Sequence, residues 1–332
     1  MKICNSCILP ETFPGISFDE QGVCNYCRSY KPETVSFEVK KQYEDKFVAL
    51  ASEHRSPKGY DVLMAYSGGK DSTYTLDLFT NRYRLKVLAL TFDNTFISER
   101  SFVNMNSVTE ALGVDHLIIR PSPGTLRKIF RAAAERELYS HKAMERASTI
   151  CTSCIGLVKA VILRTALEKK IPFVGFGWSP GQAPLQAAVM RTNPGMLKMT
   201  QKAILGPLSS VVGGESLAQY FVTEEQCANA EIFPWNIHPL AFLEYDEEKI
   251  IARNRELGWE KPQDTDANST NCMLNAYANE VHVNRYGFHP YVWEIANMVR
   301  SGAMARAKGL EKFESGENSA LVNYAKERLL LC

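Results

Sequence analysis

The hexapeptide Ser67-Gly68-Gly69-Lys70-Asp71-Ser72 sets two hydroxyls, a cation, a carboxylate and a Gly-Gly pair side by side. Adjacent glycines let a backbone approach an anion closely. The apolar run 62–66 precedes the hexapeptide and a helical pattern follows it, so it falls between a strand and a helix start. Free N–H groups at a helix N-terminus point at an anion, and the helix dipole adds attraction. Ser67 and Ser72 donate from hydroxyls, Lys70 neutralises a phosphate oxygen, and Asp71 beside phosphates holds Mg2+. Neither the GxxxxGK[ST] spacing nor GxGxxG is present, which excludes a Walker loop and a dinucleotide fingerprint.

Nine cysteines form the second chemical resource, and six of them fall in CxxC pairs. Cys4 and Cys7, then sixteen residues, then Cys24 and Cys27 have the spacing of a four-thiolate zinc ribbon. Four thiolates close a tetrahedral site, which makes it structural. A module this small cannot hold itself together by burial, so Zn2+ supplies its folding energy. Cys151 and Cys154 begin a helix, where thiols three apart face one centre. Cys272 is the candidate third ligand. Three thiolates leave one iron of a [4Fe-4S] cluster open, which suits binding a sulfur species. A zinc site, a redox dithiol or persulfide on Cys151 and Cys154, and plain buried cysteines are the alternatives. Cys227 and Cys332 lack such partners and read as ordinary cysteines.

Placing these groups requires alternating elements. Strand patterns at 62–66, 86–92, 116–120 and 172–177 alternate with helical patterns at 73–81, 102–112, 125–138 and 155–169. That order predicts an α/β fold with a parallel sheet and helices on its faces. Ligands then sit beyond the carboxyl ends of the strands, where these motifs fall. The expected organisation is a zinc ribbon over 1–32, a helical connector over 33–58, a nucleotide core over 59–215 and a mainly helical region over 216–332. Segment 179–214, rich in Gly, Pro, Ser, Gln and Met, reads as a substrate cover or irregular surface. Segment 224–248, with seven acidic residues and no Lys or Arg, reads as a solvated face.

Among 332 residues, 45% are hydrophobic and 23% charged, which is globular composition. A formal charge of +1 gives no global case for nucleic acid or a membrane surface. No apolar run approaches the ~18–20 residues that span a bilayer, and the start is not a signal peptide. No membrane is expected, and the cytoplasm is the expected location. Residues 124–170 hold ten Lys or Arg against four Glu. That stripe reads first as a basic wall near an anionic site, and second as an RNA contact. His282 and His289 are general-base candidates, and Asp264 and Asp266 beside Asn268 are candidates near Cys272.

The hexapeptide resembles the PP-loop of the N-type ATP pyrophosphatases, the adenine nucleotide alpha hydrolase-like (HUP) group, over roughly residues 60–180. The resemblance implies ATP as substrate. The loop grips the β- and γ-phosphates, a substrate oxygen attacks the α-phosphate, and pyrophosphate leaves. By the same resemblance Ser67 to Ser72 bind the pyrophosphate portion. Ala65 and Phe92 lie near adenine and ribose, and Gly177 lines the same pocket. The order of loop, CxxC, basic helix, strand and lone cysteine resembles the iron–sulfur-dependent tRNA 2-thiolation branch. Residues 14–27, with the C-terminal runs 285–289 and 298–306, resemble the N-acetyl-sugar amidotransferases of surface-polysaccharide synthesis.

Both resemblances imply adenylation and differ in the nucleophile. The favoured expectation is sulfur insertion, with Lys70, Asp71, Cys151, Cys154 and Cys272 as catalytic residues and a sulfur donor as partner. The alternative is amidation of an N-acetyl sugar with ammonia from a glutaminase partner. A third is a non-catalytic nucleotide- or RNA-binding zinc protein. A small molecule or sugar nucleotide is a better expected acceptor than tRNA, and a homodimer is compatible with the family.

Overall fold

The structure, a computed structural model, describes residues 1–228, 233–314 and 318–331. Cys332 and part of the acidic segment 224–248 lie outside the described residues. Six strands form one sheet: β1 Val62–Ala65, β2 Val87–Phe92, β3 Asp115–Ile119, β4 Phe173–Phe176, β5 Val189–Arg191 and β6 Trp235–Ile237. Their order is β3-β2-β1-β4-β6-β5. All neighbouring pairs are parallel except β5 with β6. The expected α/β architecture is therefore observed, as a mixed and mostly parallel sheet.

Side chains along the strands alternate between two apolar layers, as the period-2 geometry of strands dictates. Leu63, Leu88, Leu90 and Val174 join one core with Leu126, Phe130, Leu157 and Val161. The last four belong to helices α4 (Pro123–Glu135) and α5 (Thr149–Glu168). Val62, Met64, Ala89 and Phe173 join the other. Its helices include α1 (Phe37–Glu53), α2 (Lys70–Asp77) and α3 (Glu99–Leu112), through Phe47, Leu76 and Met105. By length and composition alone α5 could cross a membrane. Its buried Ile150, Leu157, Val161 and Ile162 instead make it a core helix.

β1 connects to β2 on one side, while β4 closes on its other side. The chain direction splits there, so a crevice opens beyond the carboxyl ends of β1 and β4. The hexapeptide begins one residue after Tyr66 caps that end.

Segment 179–214 corrects the sequence reading. It contains β5 and a long helix, α6 (Pro194–Val212), in place of irregular surface. Asn193 caps it by accepting from the Met196 N–H at 2.8 Å, and Pro194 occupies the first turn, where it needs no N–H partner. Pro207 lies inside this helix and disguises it in the sequence. The sheet also takes β6 from beyond residue 215. After it come α7 (Glu247–Glu256), α8 (Asn275–Tyr286), α9 (Val292–Arg300), α10 (Arg306–Glu314) and α11 (Ser319–Leu329).

A third apolar cluster joins Cys4, Cys7, Leu9, Phe13 and Cys24 to Phe288, Val292, Ile295 and Ala296. The N-terminal module thus docks on α9.

Candidate functional site

Gly68 takes φ +74°, a left-handed value that favours glycine. A Cβ there would lie 3.1 Å from the Ser101 carbonyl and 2.6 Å from Met105 Cε. Trp259, fully buried, donates from Nε1 to the Gly68 carbonyl at 2.9 Å. Ser67 and Ser72 face each other, Oγ to Oγ, at 3.0 Å. Asn254 of α7 donates to the Lys70 carbonyl at 2.8 Å. The loop is thus braced from α3, from α7 and from the turn after α7.

Gly177 follows β4 and presses on the start of α2. A Cβ there would meet Ser72 Cα at 2.5 Å and Ser72 N at 2.6 Å. Ala65 ends β1, half-buried, and Phe92 ends β2, buried. These three expected pocket residues therefore sit at the carboxyl ends of β4, β1 and β2.

Lys70 Nζ lies 2.8 Å from Asp71 Oδ2, 2.7 Å from the Tyr245 hydroxyl and 3.5 Å from Glu247 Oε1. Burial opposes its charge, but Asp71, Tyr245 and Glu247 outweigh burial and hold its pKa above the ordinary value. Tyr245 also donates to Asp71 Oδ1 at 3.0 Å. Burial, then the Asp71 charge, pushes the Tyr245 phenol well up. Tyr245 and Glu247 come from the segment read as a solvated acidic face. That reading is corrected here: Leu240, Phe242 and Leu243 are buried, and Glu247 turns inward to Lys70.

The central cysteines converge from two elements, α5 and the segment that carries Cys272, and Asn94 joins them from a third. Asn94, just past β2, donates from Nδ2 to Cys154 Sγ at 3.6 Å and to Cys272 Sγ at 3.5 Å. The two sulfurs are therefore no farther apart than the sum of those lengths. The Asn94 Oδ1 accepts from the Phe96 N–H at 2.9 Å, which fixes the amide with its donor toward sulfur. Between them Thr95 sits at φ +71°, a strained value for a β-branched residue. Ser148 caps α5 by accepting from the Cys151 N–H at 3.1 Å, which starts the helix at the CxxC pair. Burial raises all three thiols, Cys151 to about 11, and the mutual fields of the three sulfurs add to the shifts of Cys151 and Cys154.

One short strap connects the two groups. Residues 269–272 run past the loop, where Thr270 Oγ1 accepts from the Lys70 N–H at 3.1 Å. Two residues later Cys272 reaches Asn94. Cys272 pairs with Ile97 in a β-bridge, and the Met273 N–H donates to the Phe96 carbonyl at 2.9 Å. The glycine loop 67–72 and the thiols thus share one wall.

α9 and the Tyr291 that precedes it supply two residues that sequence reasoning did not assign. Tyr291 donates to Asn275 Oδ1 at 2.9 Å and lies within the fields of Cys151, Cys272 and Glu294. Glu294 Oε1 accepts from Ser179 Oγ at 2.7 Å, two residues past Gly177. Burial pushes the Glu294 carboxyl up to about 7, with the Asp71 charge adding to the rise.

Other sequence candidates have local roles. Asp264 accepts from Ser98 Oγ at 2.7 Å, and Asp266 accepts from the Asn268 N–H at 2.9 Å. His282 is buried between Tyr286 and Phe288, with both ring nitrogens unpartnered among the described residues. Burial lowers His282 and His289 to about 4, and neither was placed by the strap or loop.

At the N-terminus, Cys4, Cys7, Cys24 and Cys27 bring their sulfurs within 4.8 Å of one another. Cys4 to Cys27 is 3.9 Å and Cys7 to Cys24 is 3.8 Å. A tetrahedron with metal–sulfur bonds of about 2.3 Å has edges of about 3.8 Å, so the donor set fits one ion. Arg306 donates to the Cys7 carbonyl at 2.8 Å and the Cys4 carbonyl at 2.9 Å. Arg300 reaches Cys7 Sγ at 3.4 Å. Among the described residues no other group of three or more ligating side chains is so tightly gathered. Cys151, Cys154 and Cys272 do not meet that criterion.

No family model matches the chain. An uncharacterized protein of Methanocaldococcus jannaschii is 22% identical over 313 residues, spanning 94% of this chain and 92% of that one. A U34-tRNA thiolase, NcsA, from Methanococcus maripaludis with its [4Fe-4S] cluster is similar in structure, with TM-score 0.38 and 16% identity. That similarity covers 100% of this chain and 89% of the thiolase. The NMN synthetase of Francisella tularensis gives TM-score 0.39 and 14% identity over 87% of this chain and 95% of the synthetase.

Proposed function

We propose that this protein is an ATP-consuming enzyme that adenylates an oxygen of its acceptor and then replaces that oxygen with sulfur, the oxygen leaving with AMP as the carbon–oxygen bond breaks. The observation that carries the reading is the strap 269–272, which touches the phosphate loop through Thr270 and the thiol group through Cys272. An adenylating site and a sulfur-handling site on one wall suit a reaction whose second step follows at the same carbon.

The acceptor oxygen attacks the α-phosphorus, and the bond to the bridging oxygen breaks as pyrophosphate leaves with the electron pair. The loop amides, Ser67, Ser72 and the Lys70 ammonium stabilise the charge growing on pyrophosphate. Asp71 is the carboxylate placed to hold Mg2+ beside it. Here Lys70 and Asp71 neutralise each other, and Tyr245 and Glu247 remain to partner Lys70 when Asp71 turns to a cation. Cys151, Cys154 and Cys272 are the residues that would hold a [4Fe-4S] cluster, with Asn94 donating to two of the sulfurs. Such a group, when bound, supplies an open iron position at which sulfur can be delivered. Cys4, Cys7, Cys24 and Cys27 would hold Zn2+ as a structural ion, and Arg300 and Arg306 tie that knuckle to α9.

One observation favours a second reading, amidation by ammonia. Glu294 presents an enclosed carboxyl with a pKa near 7, suited to taking a proton from an attacking amine. Incubation with ATP and candidate acceptors gives AMP and pyrophosphate in both readings, and the two separate on the acceptor, which gains sulfur in the first and nitrogen in the second. Release of ADP and phosphate in their place would remove adenylation altogether.

A further inference from the structure

We propose that a cavity beside the strap, among the end of β2, α3, α4 and α11, binds a small zwitterion with an apolar body, the chemistry of a hydrophobic dipeptide. The cavity measures about 610 Å³, within the roughly 300–1,000 Å³ of small-molecule sites. It is separate from the site described above. None of Ala65, Phe92, Gly177 or residues 67–72 lines it, and neither does Cys151, Cys154 or Cys272. One side is formed by residues 95–97 and Met273, the two stretches that the Ile97–Cys272 bridge joins. Its apolar surface comes from Phe96, Ile97, Phe102, Met273 and Leu330.

Charges of both signs line this cavity, and most of them do not pair with one another. Asp93 is the exception. It is buried, its Oδ1 accepts from the Thr95 N–H at 2.8 Å, and its Oδ2 accepts from Arg120 Nε. Arg127 of α4 and Arg328 of α11 have no carboxylate partner among the described residues. Arg328 rests instead on two ring faces, 5.6 Å from the centre of Phe96 and 5.9 Å from that of Tyr324. Glu99, Asp264 and Glu327 have no cationic partner among the described residues either. Asp264 takes only the Ser98 hydroxyl, at 2.7 Å, and Glu99 follows Ser98 in the chain, so these two carboxylates are neighbours. Opposite charges that share a recess gain by pairing; held apart, both signs stay open to one ligand. The start of α4 adds to the anion end. Pro123 lines the cavity, and the first turn holds no acidic residue, so the helix dipole favours a carboxylate there. A phosphate-rich ligand would meet Glu99, Asp264 and Glu327, and a polyamine would meet Arg127 and Arg328. A molecule with a carboxylate at one end, an ammonium at the other and apolar side chains between them satisfies both signs and covers the rings.

The test is calorimetry of the whole protein with L-leucyl-L-phenylalanine, its N-acetyl derivative and its C-terminal amide, with and without α,β-methylene-ATP and Mg2+. The dipeptide should bind once per chain, and acetylation or amidation should each weaken binding at least tenfold. Arg328→Gln should remove the preference for the free acid over the amide. Asp264→Asn should remove the preference for the free amine over the acetyl form. Both variants should keep the wild-type melting temperature, and Arg127→Gln and Glu99→Gln repeat the two tests from neighbouring positions. A dipeptide that does not bind, binding that ignores both end groups, or preferences that survive all four substitutions overturns the site. Tighter binding of spermine or inorganic phosphate than of the dipeptide overturns it as well, because the site would then answer to one charge alone. Failure of α,β-methylene-ATP to bind counts against adenylation only, since the dipeptide is also measured without it.

Discussion

Gly177→Ala is a one-carbon test of how β4 sets the loop 67–72, which we propose binds ATP. The new Cβ would lie 2.5 Å from Ser72 Cα, 2.6 Å from Ser72 N and 2.8 Å from the Asp71 carbonyl carbon, where ordinary contact begins at 3.4 Å. All three atoms are backbone, so no side chain can rotate away. Strand end and helix start must separate by roughly an ångström. Overpacking of this kind costs about 1–3 kcal/mol. A displacement of ~1 Å at a reacting centre lowers rates about 10²-fold. The fold should survive, because Phe173 and Val174 remain buried in their layers. Calorimetry with α,β-methylene-ATP and Mg2+ should show at least a tenfold loss of affinity, with a lowered melting temperature. Zinc content should not change. Wild-type nucleotide affinity in a folded Gly177→Ala protein would refute the claim that this contact shapes the loop.

Asp71→Ala should lower pyrophosphate release about 10²–10³-fold while leaving both cysteine groups able to bind metal; retained release removes Asp71 from the mechanism. Trp259→Phe strips the partner from the buried Gly68 carbonyl and should cost about 1–3 kcal/mol in urea unfolding, and an unchanged midpoint contradicts it. Glu294 has its folded pKa raised above the ordinary carboxyl value by burial, so its contribution to stability is full below pH ~4.5 and is lost as pH rises through about 7. Glu294→Gln should remove that part of the pH dependence of melting, and an identical profile refutes the enclosed carboxyl. Cys7→Ser should abolish zinc binding and release Trp293 from its 5.3 Å stack on Phe13, seen as a shift in tryptophan emission.

The strand–turn–helix at 62–77 and the cysteine pairs were legible because their residues are contiguous in sequence. A Gly-Gly turn between strand and helix, or two thiols one turn apart, needs no distant partner to be recognised. The residues that complete the site lacked that property. Tyr245, Glu247, Asn254 and Trp259 reach the loop from nearly two hundred residues away, the first two inside a stretch whose acidic composition suggested solvent. Asn94 carries no signal of its own; its role arises from a fixed amide at the end of β2. β5 and β6 are three residues each, too short for periodicity to separate them from loops. α6 was hidden by Pro207 and its glycines, although Asn193-Pro194 is a capping signal that could have revealed it. Glu294 and Tyr291 came into view only when α9 folded back against the segment after β4.

The N-terminal cysteine module and Ser179 both meet that same helix. Trp293 and Arg300 face the ribbon, while Glu294 faces Ser179. The N-terminal module therefore buttresses, through packing, the helix that carries Glu294.

The central claim is tested most directly by the iron, sulfide and zinc content of protein purified without oxygen, for wild type and Cys272→Ala. The account predicts about four irons and four sulfides per chain in wild type, lost or unstable in Cys272→Ala, with about one zinc in both. Zinc alone in wild type, with neither iron nor sulfide, would contradict sulfur insertion and leave amidation as the reading of this site.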